Sequence, residues 1–322
     1  MKKYAVLLIS AIMFWIQSLS QQAAKNLLSA GTPVLATDIL INTTMNERDI
    51  AISPDGTEMF YSVYLQPSLF HAIIYCKKDK GGKWSSPQVA LFSGKYSDME
   101  PAFAPDGKKL FFSSNRSDTS SKNKNYDIWY VEKVNGQWLN PRNVGAPINT
   151  PENEYYPSVA ANGNLYFTAA YKKGIGREDI YVARWEDGKY LDPVALDTGV
   201  NSALYEFNAF VSPDEKYILF TSYGRNDDKG RGDIYLSTRD EKGNWRPAKN
   251  VWMINSDKLD YCPFVSFDRK TLFFTSERHS IPDSFIEEQL TYQKLKSLHQ
   301  QVENGAGNIY QVSWDAVMQS LH

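Results

Sequence analysis

Short apolar strands alternate with tight polar turns along most of the chain. Residues 98–116, DMEPAFAPDGKKLFFSSNR, show the pattern clearly: an apolar strand, a Pro-Asp-Gly turn and a second strand rich in aromatic residues. Proline presets φ at the second position of such a turn, and glycine accepts the left-handed backbone that follows. The stretch therefore predicts a β-hairpin.

This hairpin recurs with a period of a little over fifty residues. Its first strand and turn occupy residues 50–56, 101–107, 157–163, 209–215 and 263–269. In the last two copies Glu215 and Arg269 stand where the others have glycine, and a left-handed backbone there would cost on the order of 1 kcal/mol each. A constant long period of short strands indicates stacked supersecondary units.

Two further strands are predicted in each copy. The third carries Asp-Ile-Tyr or a relative and is expected around residues 73–75, 127–130, 179–182, 233–236 and 308–312. The fourth contains an aromatic residue and a proline and is expected around residues 84–87, 138–141, 190–193 and 245–247. The fifth copy has no fourth strand of its own after Trp314.

The N-terminal segment is predicted to supply that missing strand. Residues 33–47, PVLATDILINTTMNE, resemble residues 141–154, PRNVGAPINTPENE, which end a copy rather than begin one. Joining the two segments in one sheet closes a ring and leaves no long sheet edge free. The predicted fold is all-β: a five-bladed β-propeller of four-stranded antiparallel blades, with six blades as the alternative.

The composite motif of acid, apolar strand, Ser-Pro-Asp-Gly, aromatic strand, Asp-Ile-Tyr and Trp-x-x-Pro resembles the PD40, or WD40-like, propeller repeat. That repeat occurs in the C-terminal domain of the periplasmic protein TolB and in many exported bacterial proteins. The resemblance covers about residues 33–314, and the second and fourth copies match best. TolB-like propellers usually have six blades, whereas five copies are visible here.

The N-terminus has the pattern of a secretory signal peptide. Lys2 and Lys3 precede an apolar run over residues 4–16, and cleavage is expected after Ser20. The run is shorter than the roughly 20 residues needed to span a bilayer, and no cysteine follows it to carry a lipid. We therefore expect a signal peptide over residues 1–20, a disordered leader over 21–32 and a propeller domain over 33–322. The protein is then periplasmic or secreted and does not span the membrane after cleavage.

One insertion interrupts the fifth copy between its second and third strands. Ser284 and Glu287 have the spacing of a helix-capping box, and the residues after them favour a helix. We predict a helix over about residues 285–303, within a helical insertion of about 283–304. It would either cover one end of the central channel or bind a partner.

An acidic residue precedes each inner strand at the same position of the repeat. These repeat acids are Glu47, Asp98, Glu154, Glu206 and Asp260. One interpretation is a ring of carboxylates that binds a hard cation such as Ca²⁺. In the other, each acid accepts hydrogen bonds from neighbouring hydroxyl or backbone groups. Repetition in every blade favours the structural role, because a catalytic site needs residues in unequal environments.

Loops on the same face supply the candidate binding residues. Arg116, Arg225 and Arg278 follow the second strands and are predicted to pair with repeat acids, while charged loops and aromatic side chains extend beyond them. The predicted binding set is Tyr64, Arg116, Tyr171, Lys172, Tyr223, Arg225 and Arg278. Such a rim could hold an anionic glycan or an acidic peptide, since loops on a rigid scaffold commonly bind ligands. The alternative is that these loops are simply solvated.

Charge and chemistry limit the remaining function classes. The net charge of −2 gives no general field for nucleic acid. Cys76 and Cys262 form no disulfide framework, and their pairing stays open. Neither the His spacing nor any nucleophile or phosphate-loop motif indicates a catalytic centre or a required cofactor. We predict a non-catalytic binding or scaffolding propeller whose partner is an envelope protein or a glycan, with a glycoside hydrolase that uses channel-mouth carboxylates as the alternative.

Overall fold

Five four-stranded antiparallel sheets form the molecule, which confirms the predicted five-bladed propeller. The computed structural model describes residues 31–36, 41–65, 69–117, 125–286 and 289–321. The predicted signal peptide and nearly all of the predicted leader lie outside these residues. The innermost strand of each blade contacts the innermost strands of both neighbouring blades, so the five strands enclose a central channel.

The blades follow one another along the sequence. The first closing strand is β1 (Val34–Leu35), and blade 1 contains β2 (Asn46–Ile52), β3 (Glu58–Leu65), β4 (Phe70–Lys77) and β5 (Gln88–Val89). Blade 2 contains β6 (Asp98–Phe103), β7 (Lys109–Ser114), β8 (Asp127–Val134) and β9 (Gln137–Asn143). Blade 3 contains β10 (Glu154–Val159), β11 (Leu165–Ala169), β12 (Asp179–Ala183) and β15 (Val194–Ala195), with a small hairpin of β13 (Trp185–Glu186) and β14 (Lys189–Tyr190). Blade 4 contains β16 (Tyr205–Val211), β17 (Tyr217–Tyr223), β18 (Asp233–Thr238) and β19 (Lys249–Asn250). Blade 5 contains β20 (Asp260–Val265), β21 (Thr271–Ser276) and β22 (Asn308–Ser313).

The N-terminal segment completes blade 5, as the sequence predicts. Strand β1 pairs antiparallel with β22, with Val34 opposite Gln311 and Leu35 opposite Tyr310. Asn42 extends this contact, because its side chain donates to the Ile309 carbonyl at 2.8 Å and accepts from the Ile309 N–H at 2.7 Å. The ring is therefore closed by main-chain and side-chain hydrogen bonds together.

The same asparagine contact recurs in three other blades. Asn149, Asn201 and Asn255 each bond both the N–H and the carbonyl of the isoleucine at the start of the third strand, at 2.9 Å in every case. An asparagine side chain presents an N–H donor beside a carbonyl acceptor, as a peptide group does. These residues thus extend the short fourth strands, which explains the recurring Asn-Thr or Asn-Ser pairs.

The hairpin turns have the predicted left-handed backbone. Gly56, Gly107 and Gly163 have φ values of 69°, 69° and 92°, and Glu215 and Arg269 have 54° and 57° at the same position. The Glu215 carboxylate accepts hydrogen bonds from Tyr166, Asn164 and Asn162 of the neighbouring blade. Those contacts offset the backbone cost of a non-glycine residue at this turn.

The paired fourth strands begin later than predicted in three blades. Strands β5, β15 and β19 lie after the prolines, whereas only β9 runs through the predicted residues. Trp84 and Trp245 form isolated bridges with Lys78 and Arg239, and Tyr190 pairs instead with Trp185. Proline has no N–H to donate to a sheet ladder, so in these three blades regular pairing starts beyond it, and in β9 the register shifts around Pro141.

The predicted insertion helix has the wrong boundaries. The helix α1 (Tyr292–His299) begins at an N-cap of Thr291, whose side chain accepts from the Lys294 N–H, rather than at Ser284. Within α1 only Leu298 is buried, so little packing supports a longer helix. A second helix, α2 (Trp314–Ser320), was not predicted; it follows β22 directly and buries Trp314 and Val317.

Candidate functional site

Each inner strand contains a β-bulge at the same point. The bulge residues lie two positions after the repeat acids and have left-handed φ values: Asp49 (60°), Glu100 (61°), Tyr156 (49°), Asn208 (52°) and Cys262 (54°). The strand register shifts at each of these points. Bulges redirect neighbouring side chains, and strained non-glycine residues of this kind cluster at functional sites. The backbone is thus fivefold repeated here, while the side chains all differ.

A cavity of about 510 Å³ opens at one mouth of the channel. All five inner strands contribute to it the residue that precedes the bulge residue: Arg48, Met99, Tyr155, Phe207 and Tyr261. Its volume lies within the roughly 300–1,000 Å³ typical of small-ligand pockets. Four of the five blades therefore present an apolar or aromatic side chain to this channel-mouth cavity, and blade 1 presents a cation.

The outer wall of the cavity comes from the second and third strands. Tyr64 and Glu277 line it from the ends of the second strands, and His71, Tyr126 and Glu178 line it from the starts of the third strands. The Tyr64 and His71 rings pack with centroids 3.6 Å apart, and the Tyr126 and Tyr155 rings with centroids 5.3 Å apart. The aromatic side chains form a continuous surface across blades 1 to 3.

Arg48 is held rigidly at one side of the cavity. Its Nε donates to Asp49 at 2.7 Å, its Nη2 donates to Cys262 Sγ at 3.2 Å, and Nη2 lies 3.6 Å from Glu100 Oε1. The guanidinium also lies over the rings of Tyr64 and Tyr261, 4.7 Å and 4.8 Å from their centroids. Carboxylates compensate the charge of Arg48, and two aromatic rings cover its guanidinium. Arg48 therefore holds neighbouring side chains in place and is poorly placed to bind an anion.

Burial alters the protonation of the groups around the cavity. Desolvation raises the pKa of Glu100 to about 7 and that of Glu178 to about 7, and it also raises the pKa of Glu277. Desolvation and the nearby Arg48 charge lower the pKa of His71 to about 4, so the imidazole is neutral at pH 7. The cavity thus contains carboxyl groups that exchange protons near neutral pH.

Stability should fall as the pH rises from 6 to 8. The pKa values of Glu100, Glu154 and Glu178 are raised from 4.5 to about 7, so the folded protein keeps protons that the unfolded chain releases. Unfolding free energy therefore declines through this window, by on the order of 1 kcal/mol per carboxyl. His71, with its lowered pKa, has the opposite effect mainly below pH 6.5. Thermal melts at pH 6 and pH 8 measure the difference, and a melting temperature that rises with pH would contradict it.

Buried polar atoms at the cavity lack a partner in the described part of the protein. His71 Nε2 and Thr168 Oγ1 have no hydrogen-bond partner, although these residues are only 6% and 1% exposed. Asn46 Oδ1, in the same blade as His71, is also unpartnered. All three residues line the cavity. Unpaired buried polar atoms are costly, so we interpret them as groups that meet water or a ligand.

The opposite end of the channel is filled by apolar side chains. Prolines at positions 101, 157, 213 and 263 and the rings of Phe210, Phe264 and Phe267 line a cavity of only about 30 Å³. There is space there for about one water molecule. The channel-mouth cavity is therefore the larger of the two spaces, and the bulge residues Glu100 and Asn208 line it.

The repeat acids do not line this cavity. All five are 0% exposed and accept hydrogen bonds, mostly from a hydroxyl four residues earlier. Examples are Thr150 to Glu154 at 2.6 Å, Ser202 to Glu206 at 2.7 Å and Ser256 to Asp260 at 2.7 Å. This geometry supports the structural role. Among the described residues no group of three or more His, Cys, Asp or Glu could hold a metal ion, and Ca²⁺ binding by the repeat acids stays a prediction.

The three predicted arginines pair with repeat acids. Arg116 Nη2 lies 2.5 Å from Asp98, Arg225 Nη2 3.0 Å from Glu206 and Arg278 Nη2 2.7 Å from Asp260. Each also donates to a main-chain carbonyl at the end of the preceding blade. Their donors are thus committed to holding blades together.

The remaining predicted binding residues are dispersed. Tyr64 lines the cavity, but Tyr171 donates to Glu154 at 2.7 Å, in the place that arginine takes in blades 2, 4 and 5. Lys172 is exposed, and Tyr223 is 46% exposed beside Tyr205. The structure therefore brings one of these four residues into the cavity.

Sequence reasoning missed most of the cavity residues. Aligned on the repeat acids, the next two positions read Arg-Asp, Met-Glu, Tyr-Tyr, Phe-Asn and Tyr-Cys in blades 1 to 5. The residue type at these two positions varies from blade to blade, whereas the repeat acid before them and the apolar inner strand after them recur. That variation is the signal that could have indicated a binding site. Cys262 belongs to this set; it and Cys76 are both free and buried.

Comparison with known proteins identifies the fold only. No family model and no curated protein matches the chain, so the PD40 assignment stays a prediction. A solved structure described as "Glycoside hydrolase" aligns with a TM-score of 0.55 at 9% identity, over 88% of this protein and 90% of its own length. The protein is a β-propeller. A second structure, described as a BT0996 RGII complex, aligns with a TM-score of 0.52 at 10% identity, over 91% of this propeller and 94% of its own length.

TolB from Acinetobacter baumannii is also similar, at a lower TM-score. It aligns with a TM-score of 0.46 at 14% identity over 83% of the propeller, which spans 54% of that protein's length. At these identities the likenesses say nothing of ligand or activity. Within the described residues, neither helix has the length and apolar character needed to cross a bilayer.

Proposed function

We propose that the protein is an exported binding module of the cell envelope that holds part of a glycan in the channel-mouth cavity. The observation that carries this proposal is the cavity itself: all five inner strands line it, and aromatic rings from blades 1, 2, 3, 4 and 5 face it. Sugars combine apolar C–H faces with hydroxyl groups, and the wall combines aromatic faces with carboxylate, imidazole and hydroxyl groups. Export rests on the signal-peptide pattern of residues 1–20.

Shape also supports ligand binding at this place. Apolar side chains leave only about 30 Å³ at the other end of the channel, so the cavity is a cup rather than an open pore. The inner strands and the contacts of Arg48 hold the cavity wall in one conformation. Binding a ligand therefore costs less conformational entropy. A rigid aromatic cup with several convergent polar atoms is typical of small-ligand sites.

Removal of two aromatic side chains from the cup should weaken glycan binding. Tyr155→Ala with Phe207→Ala is expected to reduce affinity about tenfold, because each aromatic contact contributes about 0.5–1.5 kcal/mol. A glycan array identifies ligands of the wild-type protein, and titration calorimetry measures the variant. Trp185→Ala is the control, since Trp185 lies on the outer hairpin of blade 3 and is 40% exposed. Equal affinity of the double variant and the control would contradict the site.

A glycoside hydrolase is the second candidate. The repeat acids are buried in hydrogen-bond networks. Of the three cavity carboxyl groups, Glu277 is paired with Arg231, so the candidates for this chemistry are Glu100 and Glu178. A pKa of about 7 for each suits a general acid at neutral pH. Release of sugar from polysaccharides by the wild-type protein, lost in Glu178→Gln or Glu100→Gln without loss of affinity, would establish this function in place of simple binding.

A further inference from the structure

Glu178 is the one cavity carboxylate whose charge nothing in the described residues compensates. Its main chain is fixed, since its carbonyl accepts from the Glu206 N–H at 2.9 Å. Its side chain makes no hydrogen bond or ion pair with any described residue, and burial and the neighbouring Asp179 raise its pKa. By contrast, Arg48 lies near Glu100, and Arg231 lies 3.2 Å from Glu277. Glu178 therefore lacks the cation that the other two acids have.

The surroundings of Glu178 are suited to an organic cation. Burial raises the pKa of the Tyr155 hydroxyl, with the nearby Glu178 charge as a smaller cause, and Tyr126 packs against Tyr155. Phe207 lines the cavity from the next blade. A carboxylate among aromatic faces attracts an ammonium group both by charge and through the ring quadrupoles.

An unpartnered hydroxyl lies in the same wall; the equivalent threonines Thr221 and Thr275 are also unpartnered, but of the three only Thr168 lines the cavity. Thr168 lies opposite Tyr155 in the β10–β11 ladder, and β11 also pairs with β12, which begins directly after Glu178. Thr168 is 1% exposed, and its Oγ1 has no partner in the described protein. It lines the cavity together with Glu178, so it can accept a hydrogen bond from a donor that Glu178 holds.

We propose that the glycan bound in the channel-mouth cavity is an amino sugar with a free amine, and that Glu178, Thr168 and the rings of Tyr155 and Phe207 bind its ammonium group. This inference rests on the proposed glycan-binding function and specifies its ligand. The ammonium group supplies the missing counter-charge of Glu178. A uronic acid would instead add a further negative charge beside three carboxyl groups, with only Arg48 as a cation among the lining residues.

The test compares two matched sugars. The mature protein is titrated at pH 7 with a tetrasaccharide of glucosamine and with its N-acetylated form, in which each amine is replaced by a neutral amide. Wild-type protein is expected to bind the free amine about tenfold more tightly or better, as charged hydrogen bonds allow. Glu178→Gln should remove that preference while keeping the affinity for the acetylated sugar. Thr168→Val should reduce the preference partly, and Glu186→Gln, an exposed acid on the outer hairpin of the same blade, should leave it intact.

The outcomes separate this inference from the function on which it rests. Equal binding of both sugars, or a preference that survives Glu178→Gln in a folded variant, overturns the amine site and leaves glycan binding standing. Binding of tetralysine with no binding of either sugar overturns the amino-sugar class in favour of a basic peptide. Failure of the wild-type protein to bind any sugar on an array overturns the proposed function as well. Thermal melts of each variant show that loss of preference is not loss of fold.

Discussion

A chain that begins at residue 45, and so lacks β1 and Asn42, should not form a stable monomeric ring. It loses the ladder between β1 and β22, the two Asn42 hydrogen bonds to Ile309, and the burial of Ile41 and Ala36, both 0% exposed. Several hydrogen bonds at about 1 kcal/mol each, with about 1.5–3 kcal/mol for a buried isoleucine, amount to much of the stability of an ordinary domain. Circular dichroism melts and size-exclusion chromatography measure the effect.

The shortened chain should also associate with itself. Without β1, the outer edge of β22 is left with free N–H and carbonyl groups that can pair with another chain. A chain that begins at residue 31 keeps every described contact and serves as the control. If the chain from residue 45 is monomeric and melts within a few degrees of that control, the two chain segments do not hold the ring closed.

Arg116→Ala should destabilise the protein by about 3–5 kcal/mol, because it leaves a buried carboxylate unpaired. Asp98 is 0% exposed and Arg116 is 8% exposed, so water cannot replace the lost partner. The guanidinium also donates to the Phe92 carbonyl at 3.0 Å and lies over the Phe112 ring, so blades 1 and 2 lose a shared contact. The melting temperature should fall by roughly 6–15 °C.

Blade 2 provides a matched control for this variant. Arg142 lies 3.5 Å from Glu132, but the two side chains are 64% and 41% exposed, so Arg142→Ala should change stability by about 0.5 kcal/mol or less. The loss of unfolding free energy caused by Arg116→Ala should be smaller at pH 5, because Asp98 without its cation can be protonated. Equal effects of the two substitutions would show that the buried pair does not stabilise the junction of the blades.

Much of the fold could be predicted because each repeat signal has a local physical cause. Pro-Asp-Gly fixes a turn whatever surrounds it, and the left-handed backbone at Glu215 and Arg269 follows from their place in that turn. The closing strand was predictable because residues 33–47 carry the same Asn-Thr pair as residues 141–154, and Asn42 and Asn149 make the same contact. Repetition thus allowed a structural role to be transferred from one blade to another.

The binding site could not be predicted in the same way. The sequence suggested that the repeat acids face the channel, but the structure places them in the blades and turns the following residues to the cavity. A bulge adds one residue to a strand and interrupts the alternation of its side chains, and no residue type in the sequence marks its position. Glu178 was missed for a related reason: its equivalents are His71, Tyr126, Gly232 and Gly307, so the position has no repeat signature.

The left-handed backbone restricts which amino acids fit the five bulge positions without strain. Asparagine, aspartate and glycine adopt this backbone readily, whereas valine, isoleucine and threonine do so at a marked cost. The backbone conformation therefore disfavours β-branched residues at the five bulge positions, whatever the ligand. These positions are Asp49, Glu100, Tyr156, Asn208 and Cys262. Of these five residues Glu100 and Asn208 line the cavity, so substitutions at these two positions change its chemistry directly without redesign of the ring.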